Sequence, residues 1–316
     1  MRSLLRIEEW TVLGLMAATM LCFAVHDMPF RAMPEVGIVS LFFFDFYPIV
    51  LVCGLLVVYR RLRLGDDWPS PFTSRQAVIE FLRIVWPFIV SQIAYANVKA
   101  YVPVFNPKTY DAQLIEIDKW TGGAWLCEAL IGLRNSGWEA LFDWFYLHFF
   151  AAVVFVLVLL CALGQWTLAR RYSLAFILGS AIGMFFYVLI PAVGPCFLTE
   201  PSAVHDTTST LKTSAHWQVV LWEERARMMV SPESYKLSPF IHIAAFPSLH
   251  VAHTVPAVWF SWKYARPFSY VIIPGVLINW LATMALEWHY AIDVWAGLAA
   301  GALAIVLANK WVKDPA

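Results

Sequence analysis

The chain has 316 residues, of which 60% are apolar and only 14% charged, and its mean hydropathy is +0.65. Soluble domains sit near half apolar and a quarter charged, so this composition excludes disorder and argues against a soluble globular enzyme. Lys plus Arg number 22 and Asp plus Glu number 22, which leaves no electrostatic case for a nucleic-acid partner.

A helix needs about 20 apolar residues to cross the hydrocarbon core. Eight such runs are expected, at residues 10–26, 37–59, 77–104, 144–169, 172–199, 246–262, 267–286 and 288–309. Helix is the default for each, because an isolated strand leaves its backbone unsatisfied in lipid. The first run follows Arg2 and Arg6, as a signal peptide would. His26-Asp27-Met28-Pro29 does not fit a small-residue cleavage site, so the run reads as a retained span. The expected fold is therefore all-α: a polytopic membrane bundle forming one domain over residues 1–316. Residues 1–76 supply accessory spans.

Basic residues orient the chain. With the N-terminus inside, the short inner segments carry Arg2, Arg6, Arg60, Arg61, Arg63, Arg75, Arg170, Arg171, Lys263, Arg266, Lys310 and Lys313. The longer outer segments are poorer in basic residues, so both termini are expected in the cytoplasm. Two long connections, 106–139 and 200–236, then face outward. In the first, Leu114, Ile117 and Trp120 fall at helical spacing and suggest an interfacial amphipathic helix. In the second, residues 217–229 suggest another helix lying on the membrane surface.

Titratable groups inside apolar segments are costly and mark function by default. Phe246-Pro247-Ser248-Leu249-His250 opens the sixth run, and His289-Tyr290-Ala291-Ile292-Asp293 opens the eighth. Both are expected at the outer face. His289 and Asp293 are four apart, on one face of a helix. The carboxylate would orient the imidazole as a nucleophile. Ser248 at a helix start provides an anion cradle, and His250 can protonate a leaving oxygen. The set suggests phosphoryl transfer through a phosphohistidine. Zinc held by the two histidines and Asp293 is the competing site reading, and a transporter or scaffold is the non-enzymatic one. His148 and His253 read as hydrogen-bond partners between helices. Asp45 and Asp143 read as membrane-edge or helix-pairing residues, and His205 and His216 as loop residues. A pairing of Cys127 with Cys196 is left open.

These two stretches resemble the type-2 phosphatidic acid phosphatase superfamily, with its PSGH-like and HxxxD motifs. The resemblance implies a six-helix catalytic core within residues 77–316. It makes His250 the acid, His289 the nucleophile, Asp293 its orienting partner and Ser248 a phosphate contact. The first family motif, K-x6-RP, is matched by Lys99 and Pro107, but Asn106 stands at the arginine. Ala282-Thr283-Met284 replaces the SR pair expected before the nucleophile, and Leu249 replaces the motif glycine. These departures are similar to the inositol phosphorylceramide synthase branch. So are the phrases Tyr110-Asp111-Ala112-Gln113-Leu114-Ile115-Glu116-Ile117-Asp118 and Pro191-Ala192-Val193-Gly194-Pro195. Lys99 and Asn106 are the substrate-binding candidates beside Ser248. The resemblance implies a donor phospholipid and a hydroxyl-bearing lipid or glycan acceptor. It implies no cofactor, no metal, no nucleic acid and no obligatory protein partner. A lipid phosphate phosphatase, with water as acceptor, shares the first half-reaction. The localisation expected is a bacterial inner membrane, with the site facing outward.

Overall fold

The computed structural model describes residues 5–31, 53–54, 74–198, 214–233 and 243–314. Among them there are helices and no strands. The membrane-crossing candidates are α1 (Ile7–Val25), α2 (Arg75–Phe105), α7 (Trp166–Leu189), α10 (Arg266–Ala285) and α11 (Ala291–Trp311). Between α2 and α7 lie α3 (Asp111–Thr121), α4 (Gly123–Leu133), a π turn (Arg134–Trp138), α5 (Glu139–Leu147) and α6 (Phe149–Ala162). The run through α4 and α5 bends by 41° into α6, and the pair, taken as one broken span, is a sixth candidate. Helix α8 (Ser214–Val230) precedes α9 (Leu249–Tyr264). The chain is thus an all-α membrane bundle and an integral membrane protein.

The structure sets other bounds for three of the expected runs. The run at 37–59 lies outside the described residues apart from Cys53 and Gly54. The sixth run becomes α9, a helix of 16 residues. At 1.5 Å per residue it is about 24 Å long. It lies centrally, packed by α6, α7, α10 and α11. The boundary between the fourth and fifth runs also moves. The chain turns at Leu163-Gly164-Gln165, where Gly164 takes φ +69°. Arg170 and Arg171 consequently sit inside the start of α7 rather than between spans.

Those arginines pin one end of the bundle. Arg170 meets Glu8 at 2.6 Å, Arg83 clasps Glu9 at 2.6 and 2.8 Å, and Arg6 reaches Glu80 at 2.5 Å. Arg171 donates to Val312 O at the close of α11. Glu8 and Glu9 are buried. Removing one partner of such a pair strands a charge away from water, at a cost of roughly 3–5 kcal/mol. Arg170→Met should lower the thermal midpoint in detergent markedly, while Arg170→Lys should recover part of the loss.

The opposite end carries the site. Its spacing is set where α9 crosses α11. A Cβ on Gly297 would meet Ser248 O at 2.4 Å, and one on Gly301 would meet Val255 Cβ at 2.7 Å. The Gly-x-x-x-Gly stripe lets the two backbones touch. Ser248 N donates to Asp293 O at 3.0 Å across this contact.

Candidate active site

Residues separated by the whole of α9 and α10 meet at this crossing. The rings of His250 and His289 lie 5.6 Å apart, edge to face. His289 does not share a helix with Asp293, as its spacing suggested. It sits in the turn before α11, with Tyr290 as N-cap and Asp293 at the third helical position. The carboxylate folds back over the helix start. Its Oδ2 accepts from Tyr290 N at 3.0 Å and from His289 Nδ1 at 3.2 Å. A carboxylate only accepts, so Nδ1 carries the proton and Nε2 keeps its lone pair. His289 and Asp293 are both buried.

Ser248 is the N-cap of α9, yet its hydroxyl caps nothing. Its Oγ is buried and without a hydrogen-bond partner among the described residues. The first N–H groups of a helix have no partner within that helix. This end therefore offers an unused hydroxyl and free N–H groups at one point, the arrangement that binds anions. Asp293 Oδ1 and the indole Nε1 of Trp288 are also buried and unpartnered. An aromatic ladder steadies His250: Trp288 stacks on Tyr146 at 5.1 Å, Tyr146 on His250 at 4.6 Å, and the Phe149 ring lies 4.2 Å from that of His250.

Lys99 is 9% exposed, within α2. Its ammonium lies 5.7 Å from the Tyr95 ring and 5.6 Å from the Tyr187 ring. Asn106 has a different place. It closes α2, donating to Val188 O at 2.8 Å and accepting from Lys108 N at 3.2 Å. The structure brings Ser248, His250, His289 and Asp293 together and spends the Asn106 amide on the backbone.

The residues read as structural are partly so. His253 Nε2 meets Ser180 Oγ at 2.9 Å between α9 and α7. His148 sits at the α5–α6 bend and bonds to Trp144 O at 2.8 Å. Asp143 accepts from Ser214 N at 3.0 Å, at the start of α8. That helix spans the stretch expected to lie on the membrane surface. Asp45 and His205 lie outside the described residues. Cys127 and Cys196 are free thiols. Among the described residues, no group of three His, Cys, Asp or Glu side chains is placed to hold a metal ion.

Sequence reasoning missed two carboxylates on α3. That helix was expected to lie at the membrane interface with Leu114, Ile117 and Trp120 on its apolar face. Against the rest of the chain it buries Asp111, Leu114 and Asp118, and it leaves Trp120 89% exposed. Asp111 accepts from Val193 N, Gly194 N and the Tyr290 hydroxyl at 2.8–3.1 Å. Asp118 accepts from Ala291 N and Ile292 N, both at 2.8 Å. Burial pushes the Asp118 carboxyl above its ordinary range, and the two N–H groups oppose that shift. The signal was available: acids at the first and eighth positions of a short helix share its face.

No curated protein and no solved structure matches the chain. The family model of the PAP2 superfamily matches residues 112–307, which include α3 after Asp111, the α9 start and the His289 turn. With more than half of its length matched, and with both histidine stretches inside the match, the chain belongs to the PAP2 superfamily.

Proposed function

We propose that the protein is a lipid phosphotransferase that moves a phosphorylated headgroup from a donor phospholipid to a hydroxyl-bearing lipid or glycan. Membership of the PAP2 superfamily supports phosphatase- or phosphotransferase-type chemistry. The observation that carries the reading is His289, with Nδ1 held by Asp293, facing His250 beside an uncapped helix start.

In the first step, His289 Nε2 attacks phosphorus and the P–O bond to the diacylglycerol breaks. Protonated His250 gives its proton to the departing oxygen. Asp293 offsets the charge that grows on the imidazole. The Ser248 hydroxyl and the α9 N–H groups hold the oxygens that do not react. Lys99 supplies the cation that the missing arginines would provide. In the second step, neutral His250 takes the proton of the acceptor hydroxyl. The acceptor oxygen forms the new P–O bond and the N–P bond breaks, which restores His289. The distribution of basic residues supports a site on the extracytoplasmic face, with both termini in the cytoplasm.

Burial of Ser248, His289 and Asp293 favours a lipid hydroxyl over water as the acceptor. Purified protein, given phospholipids and a long-chain alcohol in detergent, should form a transferred lipid product. Release of inorganic phosphate or phosphorylated headgroup without that product would establish the phosphatase alternative. A histidine nucleophile needs no divalent ion, so EDTA should leave turnover unchanged. Complete inactivation by the chelator, reversed by zinc, would defeat the phosphohistidine route.

A further inference from the structure

Two helices begin at the site, and their N-termini are treated differently. The start of α9 is left open beside Ser248. The start of α11 is filled from outside by Asp118, which takes the N–H groups of Ala291 and Ile292. We propose that α3 is the positioning element of the nucleophile turn, with Asp118 and Asp111 as positioning residues for His289.

The turn from Trp288 to Tyr290 is held from two directions. From within its own helix, Asp293 binds Tyr290 N and His289 Nδ1. From α3, Asp118 binds the two residues that follow Tyr290, and Asp111 binds the Tyr290 hydroxyl at 2.8 Å. Asp111 also ties the turn to the close of α7 through Val193 N and Gly194 N. Tyr110 N adds a bond to Pro191 O at 2.8 Å, and Cys196 N one to Glu287 O at 2.9 Å. Asp111 and Asp118 sit on one face of one helix, so α3 acts as a splint across α7 and α11. It has a second effect. An anion already occupies the α11 N-terminus, so the phosphoryl group is directed to the remaining open one, at Ser248. Such support matters because a nucleophile displaced by about 1 Å loses on the order of a hundredfold in rate.

This inference rests on the phosphotransfer reading above. Its test compares wild type with Asp118→Asn, Asp118→Ala and Tyr290→Phe, measuring kcat, KM and affinity for inorganic phosphate. Asn keeps one acceptor oxygen, so kcat should fall in the order wild type, Asn, Ala, by about tenfold and about a hundredfold. Tyr290→Phe removes only the contact with Asp111 and should cost kcat about threefold. Phosphate affinity and KM should stay within about twofold, because the Ser248 cradle is untouched. An unchanged kcat in folded Asp118→Asn and Tyr290→Phe would overturn the proposal. So would a loss of phosphate affinity equal to the loss of kcat. A wild type without phosphoryl-transfer or phosphatase turnover would instead defeat the reading on which it rests. If Asp118→Ala does not fold, the two milder variants still decide.

Discussion

His289→Ala should abolish turnover and covalent phosphate together. With wild type, a short incubation with labelled donor lipid should leave acid-labile, base-stable phosphate on the chain. With His289→Ala that signal should be absent, and kcat should fall by at least roughly a thousandfold. The reason is geometric. Nδ1 of His289 is committed to Asp293, so Nε2 is the nitrogen left to attack. His250→Ala should behave differently. It leaves the nucleophile intact and slows departure of the first product, so some phosphoenzyme should still form with an activated donor. A His289→Ala protein that still turns over would remove the nucleophile assignment.

Lys99→Met should separate stability from activity. The ammonium is buried among aromatic rings, and no acidic partner is bonded to it among the described residues. Burying a charge without a counter-ion costs stability. Met fills similar volume without that cost, so the variant should unfold at the same temperature as wild type or higher. The same charge is the cation proposed to face the phosphoryl oxygens. Its loss should lower kcat by about a hundredfold to a thousandfold. A lysine that merely reached for the membrane surface would give the opposite pattern: full activity and a lower thermal midpoint. The two results are therefore decisive when measured on one preparation.

Local pattern was enough for much of the bundle. The apolar runs that became α1, α2, α7, α10 and α11 are long and nearly free of charge, and such runs have one solution in lipid. The runs that changed meaning did so for reasons a run cannot encode. Helix α9 begins only at Leu249 and is enclosed by α6, α7, α10 and α11. The turn at Gly164 moved Arg170 and Arg171 into α7, where Glu8 and Val312 O receive them. Helix α3 was recognised as a helix from its apolar spacing, but the role of its two carboxylates was not. Asp111 and Asp118 are buried where they meet backbone N–H groups of distant segments.

The order of residues alone determined that this chain lives in a membrane, and it singled out the histidines, serine and carboxylate that are proposed to carry the chemistry. Residue type and hydrophobic run length are local properties, and both are complete in one dimension. Tertiary structure alone decided that Gly297 and Gly301 bring α9 against α11, and that Asp118 fills one helix start while Ser248 leaves the other open. Asn106 likewise bonds to Val188 O and Lys108 N, contacts that its motif position did not reveal. Each outcome depends on which backbone groups remain unpaired once the helices are in place, and that is a property of packing.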